Sequence, residues 1–171
     1  MFAARVIGHQ PLQVILTHIM KIDILKVHRN DLETILQLQK DCYLAEAEIY
    51  NDYTNQPLQQ DLKSLENKFE NTTILNAVID GEIVGSVRGF ADDKTTYIGK
   101  LIVNKDFQNK GIGRMLLDSM ESTFIDCKRF ELFTGFKSQK NLYLYNKLGY
   151  KEFKRQMINE TLIMIYLEKI R

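Results

Sequence analysis

The sequence predicts a mixed α/β fold: a central, mostly antiparallel, twisted sheet of about six to seven strands flanked by about four helices. Three observations lead there. Strand and helix periodicities follow the order β-α-α-β-β-β-α-β-α-β-β rather than strict β-α alternation. Consecutive strand-like runs over residues 73–103 are joined by turns too short for a crossover, so they read as an antiparallel meander. The chain has 171 residues, 44% hydrophobic and 26% charged, which suits one globular domain that buries a core without disulfide staples.

The folded domain is expected to run from residue 20 to 171 as one unit. Residues 1–19 read as an amino-terminal extension outside the core, with a broken apolar stretch from Leu12 to Ile19. Residues 21–27 are short and β-branched, a strand. Asn30 with Glu33 resembles a capping box, and Leu32, Ile35, Leu36, Cys42 and Tyr43 follow at helical spacing to about Tyr50. Residues 51–56 are polar and loop-like. Pro57 suits a first helical turn, and Leu58, Leu62, Leu65 and Phe69 predict one amphipathic helix over residues 57–69. Strands over residues 73–79 and 82–90 flank Asp80-Gly81, a strong hairpin signal. A third strand covers residues 95–103, with Gly99 marking a bulge or close approach. A helix over 111–125, a strand over 129–134 and a helix over 138–148 ended by Gly149 come next. Strands at 150–157 and 161–167, around Asn159-Glu160, close the chain.

Composition excludes several functions. Lys and Arg number 23 against 22 Asp and Glu, a net charge of +1, so a general basic field for nucleic acid is absent. No uninterrupted apolar run reaches membrane-spanning length. Cys42 and Cys127 read as free thiols in a reducing compartment. His9, His18 and His28 lack metal-site spacing, so no metal is expected.

The most informative stretch is Gln108-Asn109-Lys110-Gly111-Ile112-Gly113-Arg114, which follows a strand and opens a helix. A helix start leaves amides unpaired, and its dipole favours an anion. Glycines at 111 and 113 keep side chains out of the way, and Lys110 and Arg114 add positive charge. The pattern predicts a phosphate or pyrophosphate cradle. It lacks the Lys-Ser/Thr pair of a Walker loop and the third glycine of a dinucleotide fingerprint.

With Y-I-G-K-L-I-V before this loop and N-L-Y-L-Y-N-K-L-G-Y after it, the chain resembles the GNAT superfamily of acyl-CoA-dependent N-acetyltransferases from about Met20 to Ile170. The resemblance implies a GNAT-like fold and acetyl-CoA as co-substrate. It puts the CoA diphosphate on the amides of Gln108, Asn109, Lys110, Gly111, Ile112, Gly113 and Arg114. It sets the pantetheine arm against the backbone of Leu101, Ile102 and Val103, with Asn141 as a polar contact and Thr134 and Lys147 as weaker ones. Tyr145, four residues before Gly149, matches the general acid that protonates the leaving thiolate. Where the family often has Asn seven residues before that Tyr, this chain has Ser138.

The general base is less legible. Near the central strand the sequence offers Gly99 and Lys100, so Glu46 and Asp52, at the end of the first long helix, are the carboxylate candidates. The acidic lean of residues 41–61 would suit a cationic amine. The expected activity is transfer of an acetyl group from acetyl-CoA to a primary amine, a small molecule or a protein amino group, by direct attack in a ternary complex. The alternatives are a non-catalytic acyl-CoA-binding or regulatory module on the same fold, and a protein-interaction domain using residues 12–19. A cytoplasmic location follows from the cofactor and the lack of a signal sequence. The apolar terminal strand could support a homodimer.

Overall fold

The computed structural model describes residues 20–171. The extension expected over residues 1–19 lies outside them, and Met20 packs against the core. A seven-stranded sheet carries the fold, in the order β1-β2-β3-β4-β5-β7-β6: β1 (Asp23–Lys26), β2 (Thr73–Ile79), β3 (Glu82–Asp92), β4 (Thr95–Val103), β5 (Arg129–Gly135), β6 (Lys151–Met157) and β7 (Ile163–Ile170). Every neighbouring pair is antiparallel except β4 with β5. Asp80 and Gly81 both take positive φ, 49° and 85°, as a two-residue hairpin with the sheet's twist requires.

Five helices appear among the described residues, one more than expected: α1 (Leu32–Tyr50), α2 (Gln56–Gln59), α3 (Leu62–Phe69), α4 (Ile112–Thr123) and α5 (Gln139–Lys147). The extra one arises because the helix expected over 57–69 breaks. Gln60 is extended (φ −62°, ψ 130°), and the Asp61 carboxylate accepts the Ser64 amide at 2.7 Å, capping a new helix. Apolar spacing runs on through the break, so periodicity could not reveal it. Helix α1 begins after a 3₁₀ turn at Arg29–Asp31, where the His28 amide donates to the Asp31 carboxylate at 2.8 Å. The Asn30–Glu33 pairing expected from sequence is thereby replaced.

One face of the sheet packs Val84, Val87, Ile98, Phe130 and Leu132 against Ile112, Leu116, Leu117 and Met120 of α4. Full burial of each such side chain contributes about 2 kcal/mol. A smaller cluster on the other side joins Leu32, Ile35 and Leu36 of α1 to Leu65 of α3 and Ile74 of β2. The terminal strand β7 lies between β5 and β6, so it offers no free edge for a partner copy. The edge strand on that side is β6, whose residues are all exposed and include Lys151, Glu152, Lys154 and Arg155. Charges of this kind discourage strand addition.

Two irregularities position the site. In the β3–β4 ladder, Ser86 pairs with Ile102 and Arg88 with Gly99, so β4 carries one extra residue. The bulge expected at Gly99 falls on its neighbour Lys100, whose φ is 52°. Strands β4 and β5 pair only over Thr95–Tyr97 and Arg129–Glu131. Beyond Tyr97 they part, and the β5-side edge of β4 runs on without a strand partner.

Candidate active site

The wedge between β4 and β5 opens toward the start of α4. After β4, a 3₁₀ turn at Lys105–Phe107 leads into the glycine loop. Met115 is the first amide of α4 with a main-chain acceptor, Gly111 O at 3.0 Å. The amides of residues 109–114 find none among the described residues, so they are the free donors of a helix start. Gly111 is exposed with φ 81°, a conformation that disfavours any side chain. Gly113 is glycine for a packing reason too: a Cβ there would stand 3.2 Å from Cδ2 of Leu144. Lys110 and Arg114 are exposed beside the amides. Their partners are the Asp106 carbonyl (3.0 Å) and the Asp118 carboxylate (3.3 Å). Free amides, a helix dipole and flanking cations make this turn competent to hold a diphosphate.

Gln108 and Asn109 shape the loop. The Gln108 amide group donates to Val103 O at 3.1 Å, tying the loop to the end of β4, and Asn109 turns the chain at φ 61°. Ile112 and Ile102 are core side chains, 1% and 5% exposed, so any ligand contact at these positions uses the backbone. Leu101 and Val103 are half-buried. Val103 O also accepts from the Cys42 thiol at 3.5 Å.

Tyr145 stands on α5, 5% exposed, and its hydroxyl has no hydrogen-bond partner among the described residues. Burial first, then the proximity of Tyr43 and Glu46, pushes its pKa well above that of a free phenol. The phenol therefore keeps its proton, as a donor must. Glu46 enters the same neighbourhood from α1, and its carboxylate accepts from the buried Ser138 hydroxyl. Ser138, the departure from the family pattern, thus reaches a carboxylate candidate. Asn141 donates to the Thr134 hydroxyl at 3.4 Å, which ties the first turn of α5 to the end of β5. Lys147 lies over the exposed Tyr143 ring at 5.7 Å, on the outer side of α5. Tyr50 closes the floor. Its hydroxyl accepts from the Lys137 amide at 2.7 Å and packs so tightly on Gly135 that a Cβ there would collide with it.

Asp52 is not brought to this cluster. Its carboxylate accepts from the hydroxyl and amide of Thr54, at 2.7 and 2.9 Å, and those bonds lower its pKa. The other acids of residues 41–61 also point elsewhere: Asp61 caps α3, Asp41 accepts from Gln37, and Glu48 is exposed. Burial raises the Cys42 thiol to about 11, which makes it a poor nucleophile.

Sequence reasoning missed a polar group on the α1-facing side of β3 and β4. Arg88 is 8% exposed, and its Nη1 donates to Gln60 Oε1 at 3.1 Å. Gln39 donates to the same oxygen at 3.1 Å. Lys100 reaches Gln56 Oε1 at 3.0 Å and lies 5.2 Å over the Tyr43 ring. Burial pushes the Tyr43 hydroxyl up to about 12, with Glu46 adding and Arg88 opposing. Its signal was a lone cation inside each of two strand runs, Arg88 in G-S-V-R-G and Lys100 in I-G-K-L. A broad concavity of about 700 Å³ lined by Lys26, Glu70, Thr73, Phe90 and Phe124 lies at the other end of β4 and holds none of these groups.

The sequence model of the Acetyltransferase (GNAT) family matches residues 32–150, well over half of the chain, and the chain belongs to that family. Its class of activity is accordingly acyl transfer. Solved structures carry the same fold. The PaiA N-acetyltransferase of Thermoplasma acidophilum, in complex with coenzyme A, superposes with a TM-score of 0.75 at 17% identity, covering 89% of this chain and 100% of that one. A GNAT-family acetyltransferase of Staphylococcus aureus Mu50 gives 0.70 at 22%, covering 85% and 98%. The ribosomal-protein-S18-alanine N-acetyltransferase of Escherichia coli gives 0.70 at 14%, covering 86% and 92%. No curated protein sequence matches the chain significantly. Among the described residues no helix is long and apolar enough to cross a membrane, and no cluster of ligating side chains could hold a metal ion.

Proposed function

We propose that the chain is an N-acetyltransferase that moves an acetyl group from acetyl-CoA to a primary amine by direct attack in a ternary complex. One combination supports the reading: β4 and β5 part beyond Tyr97, the amides of residues 109–114 stand unpaired after β4, and Tyr145 on α5 is buried and keeps its proton. An extended, amide-containing arm with a diphosphate at one end and a thioester at the other matches that set of groups. When bound, acetyl-CoA supplies an activated acyl group and a thiolate leaving group.

The chain's own residues then have defined tasks. The amides of Asn109 to Arg114, with Lys110 and Arg114 beside them, hold the diphosphate. The free edge of β4 at Leu101–Val103 orients the arm, and Asn141 with Thr134 flanks it. Tyr145 gives its hydroxyl proton to the departing sulfur. Glu46, hydrogen-bonded to Ser138, takes the proton that an ammonium must lose before it attacks. No enzyme nucleophile is required, in keeping with the buried Cys42 thiol.

The test is release of CoA thiol from acetyl-CoA in the presence of primary amines, polyamines, amino acids and short peptides. Release that depends on one acceptor class, with a mass gain of one acetyl group on that acceptor, is the expected result. Tight acetyl-CoA binding with no release on any acceptor would overturn the catalytic reading in favour of a binding module.

A further inference from the structure

Arg88 and Lys100 form an uncompensated pair of positive groups beside the proposed acceptor site. They lie close enough for Arg88 to depress Lys100, and no carboxylate contributes to the field at either. None of the ion pairs among the described residues includes them. Bringing cations together out of water is costly unless an anion joins them. Arg88 shows the vacancy atom by atom. Its Nη1 is used by Gln60, while Nε and Nη2 are buried without any acceptor. Those donors lie along one edge of the guanidinium, the edge that engages both oxygens of a carboxylate.

Arg88 faces Gly99 across the ladder, and paired residues point to the same face. A Cβ at Gly99 would meet nothing within 4 Å, so the sheet is bare next to the Arg88 side chain. Lys100 lies 5.2 Å over the Tyr43 ring and directly follows Gly99, the ladder partner of Arg88, and Tyr43 is in turn within electrostatic reach of Tyr145. Glu46, the acidic group of the site, is held by the Ser138 hydroxyl and acts on both Tyr43 and Tyr145. The site therefore combines one carboxylate with two positive groups.

On the reading that this site acetylates an amine, we infer that its acceptor is an amino acid or similar amino-carboxylate, with the carboxylate held by Nε and Nη2 of Arg88 and by Lys100, and the amine end toward Glu46. Nε and Nη2 of Arg88 have no solvent contact, so entry requires the side chains over them to move, and the Lys100 ammonium to leave Gln56 Oε1, its partner on an exposed side chain. The Lys100 movement is an ordinary rotamer change.

The experiment uses the full chain and matched acceptors, the twenty amino acids and their α-amides, which differ in the carboxylate alone. Thiol release should favour at least one free acid over its amide by at least about 10-fold in kcat/KM. Arg88→Gln should lower the acid's kcat/KM by about 100-fold and Lys100→Met by about 10-fold, with the amide's value unchanged in both. Lys100→Met keeps the test open should the loss of Arg88 from the Gln39–Gln60 network unfold the chain. A second readout needs no turnover: calorimetric binding of the N-acetyl amino acids, the products, in the presence of CoA. Binding that Arg88→Gln or Lys100→Met abolishes, without thiol release on any acceptor, would uphold the anion site while sinking the acetyl-transfer reading. Equal rates on acids and amides would overturn the inference. So would equal loss on both in the variants, or the absence of any carboxylate binding by the wild type.

Discussion

Lys100 is the residue whose environment departs furthest from its appearance in the sequence. In the sequence it stands, with Gly99, near the central strand where a carboxylate base is sought. In the fold, burial, then the charges of Arg88 and Lys68, lower its pKa from 10.5 to about 8. Between those values the unfolded chain holds the extra proton, so stability rises with pH in that window. The expected result is that Tm of the wild type gains on Lys100→Met between pH 8 and 10; parallel curves would mean the ammonium is solvated. The window ends where the buried tyrosines act in the opposite sense. Tyr43 and Tyr145 have raised pKa values, so their contribution is complete below the free phenol's 10.0 and is lost above it. The sequence singled out Tyr145 through its spacing to Gly149 and Glu46 through its place at the end of the first helix, and the fold brings the two within electrostatic reach. Ser138 was legible only as a departure. Its hydrogen bond to Glu46 spans 92 positions, a distance no local pattern reports.

At the scale of elements, legibility followed locality. The hairpin at Asp80-Gly81 and the helix stop at Gly149 each rest on a few adjacent residues, and both sit where expected. The break between α2 and α3 was missed because Leu58, Leu62, Leu65 and Phe69 keep a helical period across it. What breaks the helix is the burial of Gln60 under Arg88 and Gln39, a long-range event. Asp61→Ala should then cost about 1 kcal/mol through loss of the α3 cap, read as a shift in denaturant midpoint. No change would mean that packing alone sets the break. Gly135→Ala tests the joint of β5 with α1. Its Cβ would collide with Tyr50, and overpacking of this kind costs about 1–3 kcal/mol. Tyr50→Phe in the same background leaves the ring in the way while removing the hydroxyl, so it should recover part of the loss.

For the whole molecule, balanced charge conceals a local arrangement. The net charge of +1 says nothing of Lys110 and Arg114 at one end of the wedge, or of Arg88 and Lys100 near the other. Replacing Lys110 and Arg114 together by Glu should weaken acetyl-CoA binding by about 10- to 100-fold in low salt, and by less at 1 M salt where such fields are screened. This pair is a cleaner probe of the cradle than Gly111, whose φ of 81° means that any side chain there strains the turn as well as crowding it. The family and the order of elements were readable because they rest on short motifs. The orientation of the parted strands, the uncovered β6 edge and the pairing of buried Arg88 with half-buried Lys100 were not, because each is made by residues far apart in the chain.

The most direct test of the account is a paired measurement on Tyr145→Phe: kcat for thiol release and Kd for acetyl-CoA on the same preparation. A phenol that protonates the leaving sulfur and does not hold the cofactor predicts a fall of about 100-fold in kcat with Kd changed by less than about 2-fold. An unchanged kcat, or an equal loss of both, would contradict it and make Tyr145 a core residue that happens to face the wedge.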